Sequence, residues 1–188
     1  MRNARIKYGN SDVTVIALYS LGGALRHIHL EDVAIKSAEL APKAFSWRKY
    51  PDQVNLETVR LSLKNELGLR SRRVIGSIRD GWMLTPNGLS WCLATLEPHL
   101  AESGANQFRN ELSRYKRSEA FAKVTTDMES QVSEQDVNAL LRIDEYFSPR
   151  NVRERIIALS NAAVVHTELM PLVQMLRVRG QVGLETEL

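Results

Sequence analysis

Residues 70–88, RSRRVIGSIRDGWMLTPNG, decide how the rest of the chain is read. Val74, Gly76 and Ile78 alternate with Ile75, Ser77 and Arg79, the period-two pattern of a strand. Asp80-Gly81 signals a tight turn, because glycine tolerates the positive φ that such a turn requires. Trp82–Leu84 then returns as a second strand. Thr85 is placed to cap a helix, and Pro86 suits its first position, where no amide donor is needed. Leu89, Cys92, Leu93 and Leu96 continue as an apolar stripe until Pro98 ends or kinks the helix. Cys92 lies on that stripe and reads as an apolar filler rather than a nucleophile.

Upstream, the pattern is helical. Ser11 can cap a helix with Asp12 in its first turn and Val13, Ile16, Ala17 and Leu21 on one side. The β-branched Val13, Val15 and Ile16 keep a strand open as the rival. Gly22-Gly23 ends the element in either case. A second helix is expected from about Leu30 to Ala41, with a small-residue stripe of Val33, Ala34, Ala38 and Ala41, stopped by Pro42. The third is expected over Leu56–Leu67, capped by Asn55 and stopped by Gly68, with Leu56, Val59, Leu63 and Leu67 as its apolar stripe. Its other face carries Thr58, Leu61, Ser62 and Asn65, beside Glu57 and Lys64. Asn65 has the donor–acceptor pair that suits adenine, and Leu61 or Thr58 could meet a thymine methyl. An exposed Leu61 would equally suit a protein partner.

Between the second and third helices lies PKAFSWRKYPDQV, residues 42–54. Basic and aromatic side chains in alternation can hold phosphates and stack on bases. Here Phe45, Trp47 and Tyr50 are expected to pin the loop to the core, leaving Arg48 and Lys49 as candidate phosphate contacts.

The chain has 188 residues, 44% of them hydrophobic, enough for one large or two small domains with a core that needs no metal or disulfide. A single cysteine excludes an internal disulfide and fits a reducing, cytoplasmic setting. The most apolar early run, Val13–Leu21, is too short to span a membrane. A soluble, unprocessed chain is therefore expected. Residues 1–90 carry 14 Lys/Arg and 8 Asp/Glu, a net +6, whereas residues 91–188 carry 11 and 14, a net −3. That asymmetry points to an anion-binding front half on an acidic helical partner.

Three helices, a basic hairpin and the run Gly81-Trp82-Met83-Leu84-Thr85-Pro86-Asn87-Gly88 resemble the winged helix-turn-helix of bacterial transcriptional regulators. In that superfamily the second wing strand often ends in a Leu-Thr-x-x-Gly box, matched here by Leu84, Thr85 and Gly88. The resemblance covers roughly residues 11–100. It implies that the Leu56–Leu67 helix lies in a major groove with Thr58, Ser62 and Asn65 toward the bases. It also implies phosphate contacts from Lys64, Arg70, Arg72, Arg73 and Arg79. The connector ahead of that helix is longer than the 3–4 residues of a simple motif.

Beyond Gly104 the sequence reads as helical: a helix over Gln107–Ala122, a polar loop at Thr125–Gln131, a capping box at Ser133–Asp136, a helix started by Ser148-Pro149, and a last one over about Glu168–Val178. Arg109, Arg114, Lys116 and Arg117 could extend a DNA footprint, though a solvated helix face is the simpler reading. No phosphate loop, dinucleotide fingerprint, zinc-protease helix or nucleophile elbow is present. His27 and His29 lack a third metal ligand nearby.

The expectation is thus a mainly α chain with a small β-hairpin: a winged helix-turn-helix domain over residues 1–103 and a helical domain over 104–188. It would bind double-stranded DNA as a cytoplasmic transcriptional regulator or a DNA-reading subunit, with no cofactor and no catalysis. The resemblance adds homodimerisation through the C-terminal helices. The alternative is a protein-interaction adaptor built on the same scaffold.

Overall fold

The computed structural model describes residues 8–69, 72–96, 108–126 and 128–180. It is mainly helical, with ten α-helices and one antiparallel hairpin among the described residues. The chain divides into two compact units, one of residues 1–23 and 27–92, the other of residues 24–26 and 93–188. The expected boundary at 103/104 lies outside the described residues.

The first unit is built around α1 (Asn10–Ser20), in which every residue from Val13 to Tyr19 is buried. A helix apolar on all sides belongs at the centre of a core. Enclosure also overrides the strand preference of Val13, Val15 and Ile16. Ser11 is not the cap; that place falls to Gly9, whose N–H donates to the Asp12 carboxylate (3.0 Å).

α2 (Leu30–Leu40) and α4 (Leu56–Leu67) pack on α1 and on each other. His29 starts α2, its Nδ1 accepting from the Glu31 N–H (3.4 Å). The buried side of α2 is Leu30, Val33, Ala34 and Ser37, one turn earlier than the expected stripe. Ser37 is tolerated there because its hydroxyl donates to the Val33 carbonyl (2.7 Å). The one-turn helix α3 (Pro42–Phe45) then drives the Phe45 ring fully into the core. Asn55 caps α4 as expected, accepting from the Thr58 N–H (3.3 Å).

β1 (Val74–Ser77) and β2 (Gly81–Leu84) pair with Val74 opposite Leu84 and Ser77 opposite Gly81. The turn therefore has three residues, Ile78–Asp80, rather than Asp80-Gly81 alone. Gly81 supplies the positive φ (81°) that returns the chain, the usual device of a three-residue hairpin. Ile28 adds a third extended segment, exchanging both backbone hydrogen bonds with Trp82 (2.8 Å each). Thr85 then caps α5 (Pro86–Thr95): its hydroxyl accepts from the Gly88 N–H (3.1 Å) and donates to the Arg72 carbonyl (2.6 Å).

The second unit contains α6 (Arg109–Lys116), α7 (Glu119–Thr125), α8 (Glu134–Leu141), α9 (Pro149–Val165) and α10 (Met170–Val178). The helix expected over Gln107–Ala122 is broken, because Ser118 turns extended and caps α7 through the Phe121 N–H (3.2 Å). The Ser133–Asp136 capping box and the Ser148-Pro149 start both form. Ile156–Ala163 is buried on every side of α9. α10 packs on α7 and α9. No helix among the described residues is long and apolar enough to cross a membrane.

Candidate nucleic-acid interface

The cations of the first unit fall into two groups, and Arg73 defines the first. Its side chain is largely covered and makes a two-pronged pair with Glu66 (both bonds 2.6 Å) and a third bond to Asp12 (2.9 Å). The guanidinium lies over the Trp91 ring, 4.3 Å from its centroid. The Glu66 hydrogen bonds push the arginine pKa above its ordinary value; burial opposes this, and Asp12 adds to the rise. One residue thus joins α1, α4, the hairpin and α5. Three of its five N–H donors are thus committed inside the unit, which sets Arg73 apart from the exposed cations expected to meet phosphates.

The same phase of α4 that buries Glu66 buries Val59, Ser62 and Leu63. Ser62 faces the core, 5% exposed, with its hydroxyl donating to the Thr58 carbonyl (2.8 Å), so it is not a groove residue. Thr58 is half-buried at the edge. The outward face is Glu57, Leu61, Lys64 and Asn65, flanked by Arg60. Glu57 accepts from Arg60 Nε (2.6 Å), which, with the Arg60 and Lys64 charges nearby, holds its carboxyl below the usual range. Leu56, placed on the apolar stripe by its spacing, is exposed, as is Leu61 at 45%.

The second group of cations is open. Arg48, Lys49, Lys64, Arg72 and Arg79 are exposed and form no ion pair with a described residue. Arg79 sits in the hairpin turn, braced by the Asp80 N–H donating to Ser77 Oγ (3.1 Å), and Arg72 just before β1. Arg70 lies outside the described residues.

Arg48 and Lys49 occupy a closed finger. Ser46 pairs with Val54, and the Trp47 N–H donates to the Gln53 carbonyl (3.0 Å). The Gln53 N–H in turn donates to the Tyr50 carbonyl (3.0 Å). The expectation for the rings holds for Phe45 alone: Trp47 is 50% and Tyr50 58% exposed. They sit beyond the turn that buries Phe45, so the backbone pairing of the finger, not the rings, fixes the loop.

In the second unit the candidate cations Arg114, Lys116 and Arg117 are engaged by groups of the same unit. Arg114 is held by Glu111, the Leu140 carbonyl and the Tyr115 ring, Lys116 by Glu168 (2.6 Å), and Arg117 by the Ser113 carbonyl (3.0 Å). No group of three His, Cys, Asp or Glu side chains among the described residues is placed to hold a metal ion.

Sequence reasoning missed Glu66, Asp12 and Trp91 as the holders of Arg73. A signal existed: Glu66 falls three residues after Leu63 and seven after Val59, in the buried phase, and a charge there requires a partner. Set against protein-family models, characterised proteins and solved structures, the chain matches none of them.

Proposed function

We propose that the first unit is a winged helix-turn-helix-type module that binds double-stranded DNA, and that the protein is a transcriptional regulator or the DNA-reading subunit of a larger system. The observation that carries this reading is the sorting of its cations. Arg60 and Arg73 are paired with carboxylates, while Arg48, Lys49, Lys64, Arg72 and Arg79, on α4, the finger ahead of it and the hairpin behind it, form no ion pair with a described residue. Open cations on those three elements suit a polyanion whose phosphates run past a helix. Asn65, and Thr58 at the edge, are the side chains of α4 with base-edge chemistry. The second unit serves as the dimerising half, so that two copies of α4 lie about 34 Å apart on successive major grooves.

The test is an anisotropy titration of the whole chain on duplex DNA across salt concentrations. Steeply salt-dependent binding supports the reading, and absence of duplex binding at low salt removes it. A second reading, a protein-interaction adaptor, is favoured by the exposed Leu56 and Leu61 beside the Glu57–Arg60 pair. An adaptor would keep its partner after charge reversal at Arg72 and Arg79.

A further inference from the structure

We infer that the Ser46–Val54 finger is a binding site for unpaired nucleotides, with Trp47 and Tyr50 as stacking surfaces and Arg48 and Lys49 as phosphate contacts. Four observations meet here. The finger is a built element: its ends pair, its interior is hydrogen-bonded, and Phe45 anchors its base with the Asn55 N–H donating to the Phe45 carbonyl (2.7 Å). Its two outer rings remain half in water at 50% and 58% exposure. The two cations between them have no carboxylate partner among the described residues, although Asp52 is only two residues past Tyr50. And the finger closes directly onto Asn55, the cap of α4, which fixes its base to a packed helix.

The rings decide between ligands. In a duplex both faces of each base are covered by neighbours, so an exposed ring can stack only on a base that is unpaired or terminal. A protein-docking patch would be expected to exclude charges from its centre, lysine above all, whereas Arg48 and Lys49 stand between the rings. Ring–cation–cation–ring matches the alternation of base and phosphate along a single strand. The inference does not rest on duplex binding, and either can hold without the other.

Of the three tryptophans, Trp82 is buried and Trp91 lies under Arg73, so Trp47 is the one open to a ligand. Its fluorescence therefore reports on the finger. Adding a 12-nucleotide oligo(dT) to the whole protein should quench the emission. Trp47→Ala should abolish the quench and weaken oligo(dT) binding, followed by anisotropy, roughly ten-fold, and Trp47→Ala/Tyr50→Ala further. Trp47→Phe should keep most of the affinity while losing the signal. Both rings are outside the core, so these variants should keep the parent's circular dichroism. Arg48→Glu/Lys49→Glu should weaken binding through a shallower salt dependence.

A blunt duplex measured alongside separates the two proposals. Duplex binding without oligo(dT) binding overturns the finger, as does oligo(dT) affinity unchanged in Trp47→Ala/Tyr50→Ala. Oligo(dT) binding without duplex binding supports the finger and removes the duplex reading. Equal quenching by poly-glutamate or by phosphatidylserine vesicles would make the surface a protein or lipid site and also overturn the inference.

Discussion

At the scale of single residues, Arg73 has the largest consequences. Its pair with Glu66 is nearly enclosed, and removing one partner of such a pair leaves a buried charge without compensation. Arg73→Met is expected to cost about 3 kcal/mol or more, read from the urea midpoint. Glu66→Leu combined with Arg73→Met should recover most of that loss, because the penalty lies in the orphaned charge rather than in the missing pair. Near-additive losses in the double variant would show that packing on Trp91, not charge, is what Arg73 supplies.

Asp136 poses a pH question. The Lys123 hydrogen bond, helped by the Ser133 backbone and hydroxyl, lowers its pKa from 3.8 to about 2. A depressed carboxyl contributes stability that is complete above its unfolded value and is lost as pH falls through the folded one. The stability difference between the parent and Asp136→Asn should therefore be constant from pH 7 to about 5 and shrink toward pH 2. A difference that stays flat down to pH 2 would place the Lys123 interaction outside the folded state's energetics.

At the scale of elements, the hairpin and α5 are joined by two small groups. Thr85 links the Arg72 carbonyl to the first turn of α5, and Gly88 lets that turn approach the chain. A β-carbon on Gly88 would stand 2.0 Å from the Arg73 carbonyl oxygen, a backbone atom that cannot turn aside. Gly88→Ala is expected to cost about 3 kcal/mol by overpacking, and Thr85→Ala about 1 kcal/mol by loss of the cap, with Thr85→Ser close to the parent. Thermal denaturation orders the three, and a Gly88→Ala protein as stable as the parent would mean that α5 can slide away from β1. The Leu-Thr-x-x-Gly spacing was legible for this reason: a cap and a close approach are local demands that leave specific residue types behind. The finger was not legible, since nothing in PKAFSWRKYPDQV distinguishes the ring that is buried from the two that are not.

At the scale of the whole molecule, net charge matters less than which charges are spent. On the proposed DNA-binding reading, reversing Arg72 and Arg79 together should collapse duplex binding and flatten its salt dependence, by about one unit of slope for each cation–phosphate pair removed. Stability should change by less than about 0.5 kcal/mol, because both side chains are exposed and form no ion pair with a described residue. Lys116→Gln, in a cation already held by Glu168, should leave DNA binding unaltered. Equal losses in both would point to bulk charge rather than to the hairpin.

The sequence by itself determined the helical periodicity, the caps at Asn55, Thr85, Ser133 and Ser148, the return of the hairpin and the basic front half. The first three depend on neighbours within a few residues, and the last is a count of charges along the chain. Tertiary structure alone decided which cations remain free. Arg73 is seven residues from Glu66 and sixty-one from Asp12, and only folding brings those carboxylates to its donors. It also decided that Ser62, which spacing sets on the outer face beside Leu61, turns inward, because the rotation of α4 is set by what α1 and α2 present to it and not by its own stripe alone. Burial and pairing are properties of the space between elements, so an arginine bound to a carboxylate and one open to a phosphate look alike until the chain is folded.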